Sequence, residues 1–312
     1  MAGIGIVSNP RSWRNRRHPE TAERLRRLLG DSGELREAAT PEALAAALAA
    51  FRRAGADALV VNGGDGTLHV VATALAASWE PPWPRLLPLP GGAMNTVAAA
   101  HRISGTPEAV LGRLLQLRRS GSPAPAVERD LLRVEAEGPG PQVGFLFGTG
   151  LAVSFLEAWY ATGHPTAARA LWLLLRVAGS AVLGGPLAER LTRLDSLRVT
   201  ADGEEWPADA FLSVVAGAIP EMGFGLSPLT RCDEQPGFFH AVGVTGSAAQ
   251  LALRIPAVWL RRPWRRPLAV DAVARDLSLE APAIRYTVDG DLYQAPGPVR
   301  VRTGPLAEVL VV

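Results

Sequence analysis

Lysine is absent: every one of the 32 residues counted as lysine or arginine in this 312-residue chain is arginine. A Walker A lysine, the strand lysine of protein kinases and a Schiff-base lysine are thereby excluded. Any phosphate chemistry must rest on backbone amides, arginine and metal. Cysteine is nearly absent as well. Cys232 stands alone, which excludes an internal disulfide and a thiolate zinc cluster and suits a reducing, cytoplasmic setting. Neither sign of charge is in large excess. The formal net charge is +2, so no global field recommends nucleic acid as a partner and any basic surface must be local. Long apolar runs are missing too. MAGIGIVSNP is too short in its apolar part for a signal peptide. Residues 167–187, the best candidate for a membrane span, are interrupted by Arg169 and Arg176 and ended by Gly184, Gly185 and Pro186. They read as a soluble helix.

What is present can bury a sizeable core: 48% of residues are hydrophobic, over a length that suits two domains. Residues 3–8 (GIGIVS) have the pattern of a short buried strand ending at Asn9-Pro10. An arginine-rich loop follows, then a helix over Pro19 to Leu29. Thr40 to Arg53 has an N-cap threonine, proline at the first helical position, an early glutamate and closing arginines, all marks of a helix. Strands at 58–61 and 86–89 each run into a glycine-containing loop and then a helix, the second helix starting at about Asn95. This alternation predicts a parallel sheet with its loops gathered at the strands' carboxyl ends, where open α/β sheets bind ligands. After RSGSPAPAVERD the texture changes to short strands and turns, with helices near 152–192 and 246–260. The expected organisation is an α/β domain over 1–126 and a β-rich domain over 127–304.

The stretch ALVVNGGDGTLHVVATAL, residues 58–75, admits two readings. Asn-Gly and Asp-Gly between apolar runs are strong hairpin signals. Against a hairpin, Leu68, Val71 and Leu75 recur at helical spacing and lead into alanines. A strand, a glycine loop and a helix N-terminus together offer free N–H groups and a favourable dipole to an anion. Glycines let phosphate approach the backbone and permit positive φ. An aspartate in the middle suits a magnesium ion beside the phosphate.

Gly63-Gly64-Asp65-Gly66-Thr67 resembles the GGDGT signature shared by diacylglycerol kinases, sphingosine kinases and, more distantly, NAD kinases and phosphofructokinases. Three further stretches favour the lipid-kinase branch. SNPRS (Ser8 to Ser12) is similar to its first-strand motif, PLPGGAMNTVA (Pro88 to Ala98) to its second nucleotide loop, and TVDGDLY (Thr287 to Tyr293) to its C-terminal DGE motif. The resemblance implies an N-terminal nucleotide-binding domain like that of NAD kinases and phosphofructokinases, completed by 305–312, and a C-terminal β-sandwich for the lipid acceptor. It implies ATP and Mg²⁺ as cofactors and transfer of a phosphoryl group to a hydroxyl of diacylglycerol or a related lipid. An NAD kinase-like enzyme and a nucleotide-binding regulator with weakened catalysis are the alternatives.

By the same resemblance, Gly63 to Thr67 would cradle the ATP phosphates, with Asp65 in a magnesium–water network. Asn9, Thr40, Gly91, Gly92 and Asn95 would line the rest of the nucleotide site. Thr40 reads equally well as a helix cap. Asp130 is a second candidate for the metal network, and Asp233 resembles a structural-magnesium aspartate, although EQP before Gly237 looks like an insertion. Asp291 would be the general base, with aspartate in place of the usual glutamate, and Asp289 the fallback. A literal DGE at Asp202-Gly203-Glu204 lies too early in the chain for that role. Ala93 and Thr96 depart from the family's hydroxyl and aspartate, and His69 and Val70 from its asparagine and glutamate; a histidine at the start of a helix is more often structural. LRIPAVWLRRPWRRP, residues 253–267, places Trp259 and Trp264 among Arg254, Arg261, Arg262, Arg265 and Arg266. That mixture suits peripheral contact with the lipid substrate's anionic membrane, and equally a helix end with solvated arginines and inward-packed tryptophans. The oligomeric state stays open, a homodimer included.

Overall fold

Strands and helices alternate through the first 119 residues of the computed structural model, which describes residues 3–163 and 165–312. In chain order these are β1 (Ile4–Ser8), α1 (Trp13–Arg17), α2 (Thr21–Leu29), β2 (Gly33–Glu37) and α3 (Pro41–Arg53). Then come β3 (Ala58–Gly63), α4 (Asp65–Ser78), β4 (Arg85–Pro90), α5 (Thr96–Ala100) and α6 (Pro107–Arg119). Both β1 and β3 are buried throughout, as continuous apolar runs covered on both faces must be. α3 begins where its caps predict. Thr40 accepts the Ala43 N–H, Pro41 opens the first turn, and Leu44, Ala47, Leu48 and Phe51 form the buried stripe. Burying Leu48 and Phe51 contributes roughly 1.5–3 kcal/mol each. Phe51 lies on Gly5, where a Cβ would come within 2.7 Å of its ring.

Two compact units result, Met1–Arg129 with Leu306–Val312, and Asp130–Pro305. In the first, β1 pairs in parallel with β2 and β3, and β3 pairs in parallel with β4. All four carboxyl ends therefore open on one edge. The unit takes its last strand from the far end of the chain, where Val309 pairs in parallel with Leu86 and the Val311 N–H donates to Pro125 O at 2.9 Å.

The second unit begins within β5 (Ala126–Ala136) and continues through β6 (Gln142–Gly144), β7 (Leu146–Thr149), α7 (Leu151–Tyr160), α8 (Ala167–Val182) and α9 (Pro186–Leu191). Short strands follow: β8 (Asp195–Ser196), β9 (Arg198–Ala201), β10 (Glu204–Glu205), β11 (Ala210–Phe211) and β12 (Ser213–Gly217). The remainder comprises β13 (Phe239–Val244), α10 (Ala248–Trp259), β14 (Ala269–Ala274), β15 (Asp276–Glu280), β16 (Ile284–Val288), β17 (Asp291–Ala295) and β18 (Val299–Leu310). One antiparallel sheet has the order β14-β13-β12-β7-β16-β17; β10, β9, β15 and the start of β18 form another antiparallel run. A single apolar cluster takes Phe147, Val214, Phe239 and Tyr286 from the first run and Val199, Leu277, Leu279 and Val301 from the second. The fold is thus mixed α/β, a parallel-rich sheet in one unit and separate antiparallel sheet in the other. The helical stretch expected near 152–192 is three helices, divided by the turn after Tyr160 and by Gly184-Gly185.

Candidate functional site

Asn9, residues 38–40, Gly63 to Thr67 and Gly91 to Asn95 follow the carboxyl ends of β1, β2, β3 and β4, so the parallel pairing brings them to one edge. Two glycine loops interlock there. A Cβ on Gly92 would come within 2.4 Å of Gly64 Cα, one on Gly64 within 2.8 Å of Gly92 Cα, and one on Gly91 within 3.0 Å of Gly63 O. The Gly91 N–H donates to Gly63 O at 3.0 Å. Sequence reasoning gave these glycines to close phosphate approach and positive φ. None of Gly63, Gly64, Gly66, Gly91 and Gly92 has a positive φ; facing backbone leaves no room for a side chain at Gly64, Gly91 and Gly92, and the Thr67 side chain leaves none at Gly63.

Asn9 and Asn95 fasten the loops. Asn9 Nδ2 donates to Thr67 Oγ1 at 2.9 Å, and its Oδ1 accepts the Arg11 N–H at 2.9 Å. Asn95 adopts the left-handed conformation, and its amide closes a ring with Gly92, accepting from N at 2.7 Å and donating to O at 3.1 Å. Beneath them lies a polar pair that sequence reasoning missed. Asn15 donates to Asn9 O and Asn62 O, and Asn62 donates to Ser8 Oγ. An asparagine inside a fully buried strand, as Asn62 is in β3, was the available signal. Arg14 was missed as well. Its backbone N–H donates to Gly91 O at 3.0 Å, which anchors this half-buried arginine on the second glycine loop. Thr40 is exposed on the same edge, where it caps α3 at 3.3 Å. His69 is fully buried.

Asp65 opens α4 and turns back to α5. Its Oδ2 accepts the Thr96 N–H at 2.9 Å and its Oδ1 the Val97 N–H at 3.0 Å, which caps a helix whose own N-cap side chain, that of Asn95, makes no capping bond. Burial pushes the carboxyl above the ordinary aspartate value, and the amides of Val97 and Thr96 pull against that rise.

In the second unit, Asp289-Gly290 is the two-residue turn joining β16 to β17, with φ of 47° and 93°. The paired positive values are those of a type I′ hairpin. Asp289 is buried, and its carboxylate accepts the Phe145 N–H at 2.9 Å and the Leu146 N–H at 2.9 Å. Tyr160 Oη, from α7, donates to Gly290 O at 2.8 Å and pins the turn. Asp291 starts β17 half-buried, opposite Val288. The Tyr293 phenol, which donates to Gln142, is pushed upward by burial first and then by the negative charge of Asp291.

The other two metal candidates lie elsewhere in this unit. Asp130 accepts the Gly237 N–H at 2.6 Å. Asp233 is exposed, and two residues before it in the chain Arg231 bridges Glu234 at 3.0 Å and Asp271 at 2.7 Å. Buried His240 approaches Asp271 through Nε2 at 3.2 Å and accepts the Arg231 N–H on Nδ1 at 3.4 Å. The His240 hydrogen bond, then Arg231, holds Asp271 below the usual carboxylate range. Among the described residues no three His, Cys, Asp or Glu side chains gather as a directly ligated metal requires.

Residues 4–122 match the model of the diacylglycerol kinase catalytic domain family. No curated protein matches the chain. Among solved structures, a diacylglycerol kinase from Bacillus anthracis str. Sterne is similar at 13% identity with a TM-score of 0.65, over 99% of this chain and 97% of that one. A provisionally assigned diacylglycerol kinase from the same organism is similar at 15% identity with a TM-score of 0.70, again over 99% and 97%. At such identities the likeness concerns the fold. With its interlocked GGDGT and PGGAMN loops inside the matched stretch, the segment 4–122 is a diacylglycerol kinase-like catalytic domain.

Proposed function

We propose that this protein is an ATP-dependent lipid kinase that transfers the γ-phosphoryl group to a hydroxyl of diacylglycerol or a related lipid. The observation that carries the reading is the pair of interlocked glycine loops at the carboxyl edge of a parallel sheet, within the stretch matched by the family model. Phosphoryl transfer asks for positioning, charge neutralisation and a base for the incoming hydroxyl. In this reading the N–H groups of the first turn of α4 face the phosphates. Asn9 and Asn95 fix the loops, Thr40 lines the same edge, and Arg14 supplies the positive charge that a lysine-free chain must draw from arginine. The Asp65 carboxylate is an oxygen donor held in place by the Thr96 and Val97 amides, able to meet a metal ion through its hydration water. That fits a magnesium ion that keeps most of its water and leans on the nucleotide; bound there, it would neutralise phosphate charge. Asp291 accepts the proton of the acceptor hydroxyl, and Asp289 holds the hairpin that presents it. The two antiparallel runs of the second unit, joined by one apolar cluster, are read as the sandwich that receives the lipid.

One observation favours a second reading, a nucleotide-binding regulator with weakened catalysis: both Asp65 oxygens are already engaged by amides. Incubating the purified protein with γ-labelled ATP, magnesium and, separately, diacylglycerol, a sphingoid base, ceramide or NAD decides the matter. Label in a lipid is the expected result. Label in NAD alone makes the enzyme NAD kinase-like, and nucleotide binding without transfer leaves the regulator.

A further inference from the structure

Helices α8 and α10 pack against each other, and each leaves an apolar row in solvent. On α8 the row Ala170, Leu173 and Val177 is buried, whereas on the opposite side Trp172 and Leu175 are 59% and 58% exposed, followed by Leu183 at 85%. On α10, Leu253 and, just past its end, Leu260 lie seven residues apart and are 71% and 69% exposed. A helix apolar on two sides calls for a second apolar surface, and soluble monomers rarely group such residues.

Charge indicates what that surface is. Residues 165–187 and 247–270 contain no aspartate or glutamate and seven arginines. Arg176 lies over the Trp172 ring at 4.5 Å, and Arg262, Arg265 and Arg266 are exposed without a carboxylate partner among the described residues. A second copy of this face would set arginines against arginines, whereas an anionic bilayer accepts both the apolar rows and the charge.

We propose that the face formed by α8, α10 and the arginine loop after α10 docks the protein on an anionic membrane, with Trp172, Leu175, Leu183, Leu253 and Leu260 entering the headgroup boundary. This face differs from the one the 253–267 stretch suggests by itself. Trp264 turns inward, its indole N–H donating to Pro228 O at 2.8 Å, and packs on the cluster of Leu212, Val242 and Val244. Trp259 is tied to Phe224 O at 2.8 Å. The biological sense of the proposal rests on the lipid-kinase reading, but its physical basis does not.

The test is co-sedimentation with phosphatidylcholine vesicles, with and without phosphatidylglycerol, in the absence of ATP. Wild type should sediment with the anionic vesicles and be released by salt. Leu175→Ser with Leu183→Ser and Leu253→Ser, and separately Arg262→Gln with Arg265→Gln and Arg266→Gln, should each reduce partition by roughly tenfold or more while circular dichroism stays unchanged. Wild type that ignores vesicles, binding that neither set alters, or a dimer that the leucine set dissociates without any vesicle binding would each overturn the proposal. A protein that phosphorylates detergent-dispersed diacylglycerol yet ignores vesicles loses the docking face and keeps the kinase reading. Vesicle binding without transfer does the reverse.

Discussion

Two Asp-Gly hairpins, Asp202-Gly203 between β9 and β10 and Asp289-Gly290 between β16 and β17, are built on one plan. The aspartate and glycine have φ of 48° and 86° in the first and 47° and 93° in the second. Each aspartate accepts two consecutive backbone N–H groups from a distant segment, Arg275 and Asp276 for Asp202, Phe145 and Leu146 for Asp289. Asp65 holds Thr96 and Val97 in the same manner. A clamp that recurs in three places is an architectural device, sufficient by itself to explain the first aspartate of each turn. The hairpins differ at the third residue. Glu204 is exposed in a two-residue strand, whereas Asp291 is half-buried beside a pinned turn and its charge reaches Tyr293. Only the second hairpin has a spare carboxylate that is half-buried.

Turnover should separate them most widely. Asp291→Asn is expected to lower it by roughly 10² to 10⁴ with nucleotide affinity unchanged, since a base acts on the acceptor and not on ATP, while Glu204→Gln leaves both unchanged. Asp291→Glu, which lengthens the reach by one methylene, should match or exceed wild type. Steady-state assays at saturating ATP and lipid read all three. If a folded Asp289→Asn loses activity and Asp291→Asn keeps it, the two roles are exchanged.

The next effect concerns the glycine loops. Gly92→Ala places a methyl 2.4 Å from Gly64 Cα, which should cost about 1–3 kcal/mol and weaken nucleotide binding tenfold or more in a titration. Gly112→Ala, in α6 with open space around it, should instead add about 0.5–1 kcal/mol. Equal behaviour of the two would mean that the loops yield and their contact is not what shapes the site.

Smaller still is the contrast between the clamps. Asp289→Asn leaves one acceptor for two amides, that of Phe145 buried and that of Leu146 partly so, and should cost about 1–3 kcal/mol in denaturant unfolding; the exposed Asp202→Asn should cost less than about 1 kcal/mol. The smallest expected effect is a pH dependence. Burial raises the folded-state value of Asp65 above its unfolded value of about 4. Its ionisation therefore removes stability as pH rises from about 4 through the raised value, and the stability difference between wild type and Asp65→Asn should shrink over that window. A difference that grows instead would show that the two amides outweigh burial.

The parts of this architecture that could be read from the chain are those with local causes. β1, β3 and β4 are short apolar runs, and α3 carries its cap, its proline and its closing arginines within 14 residues. β2 was not legible. GELRE has one buried residue, Leu35, and becomes a strand through parallel pairing with β1 at the sheet edge. The site divides in the same way. GGDGT and PGGAMN stand out as motifs, but the contact between Gly64 and Gly92 and the bond from Asp65 to Thr96 span about 30 residues, and nothing local specifies them. α8 is plainly apolar in sequence; which of its sides is covered depends on α10, some 80 residues on.

The strand that closes the first unit bears on how the protein is made. Leu306–Val312 pairs in parallel onto the first unit's strands, the last of which, β4, ends at Pro90, so that parallel run remains one strand short while residues 130–305 are being translated. During that interval on the ribosome, β4 offers an open row of N–H and C=O groups to any extended chain nearby. A fragment limited to the matched stretch would keep that edge permanently, which makes the isolated domain a poor candidate for soluble expression and gives synthesis speed and chaperone access a direct influence on yield.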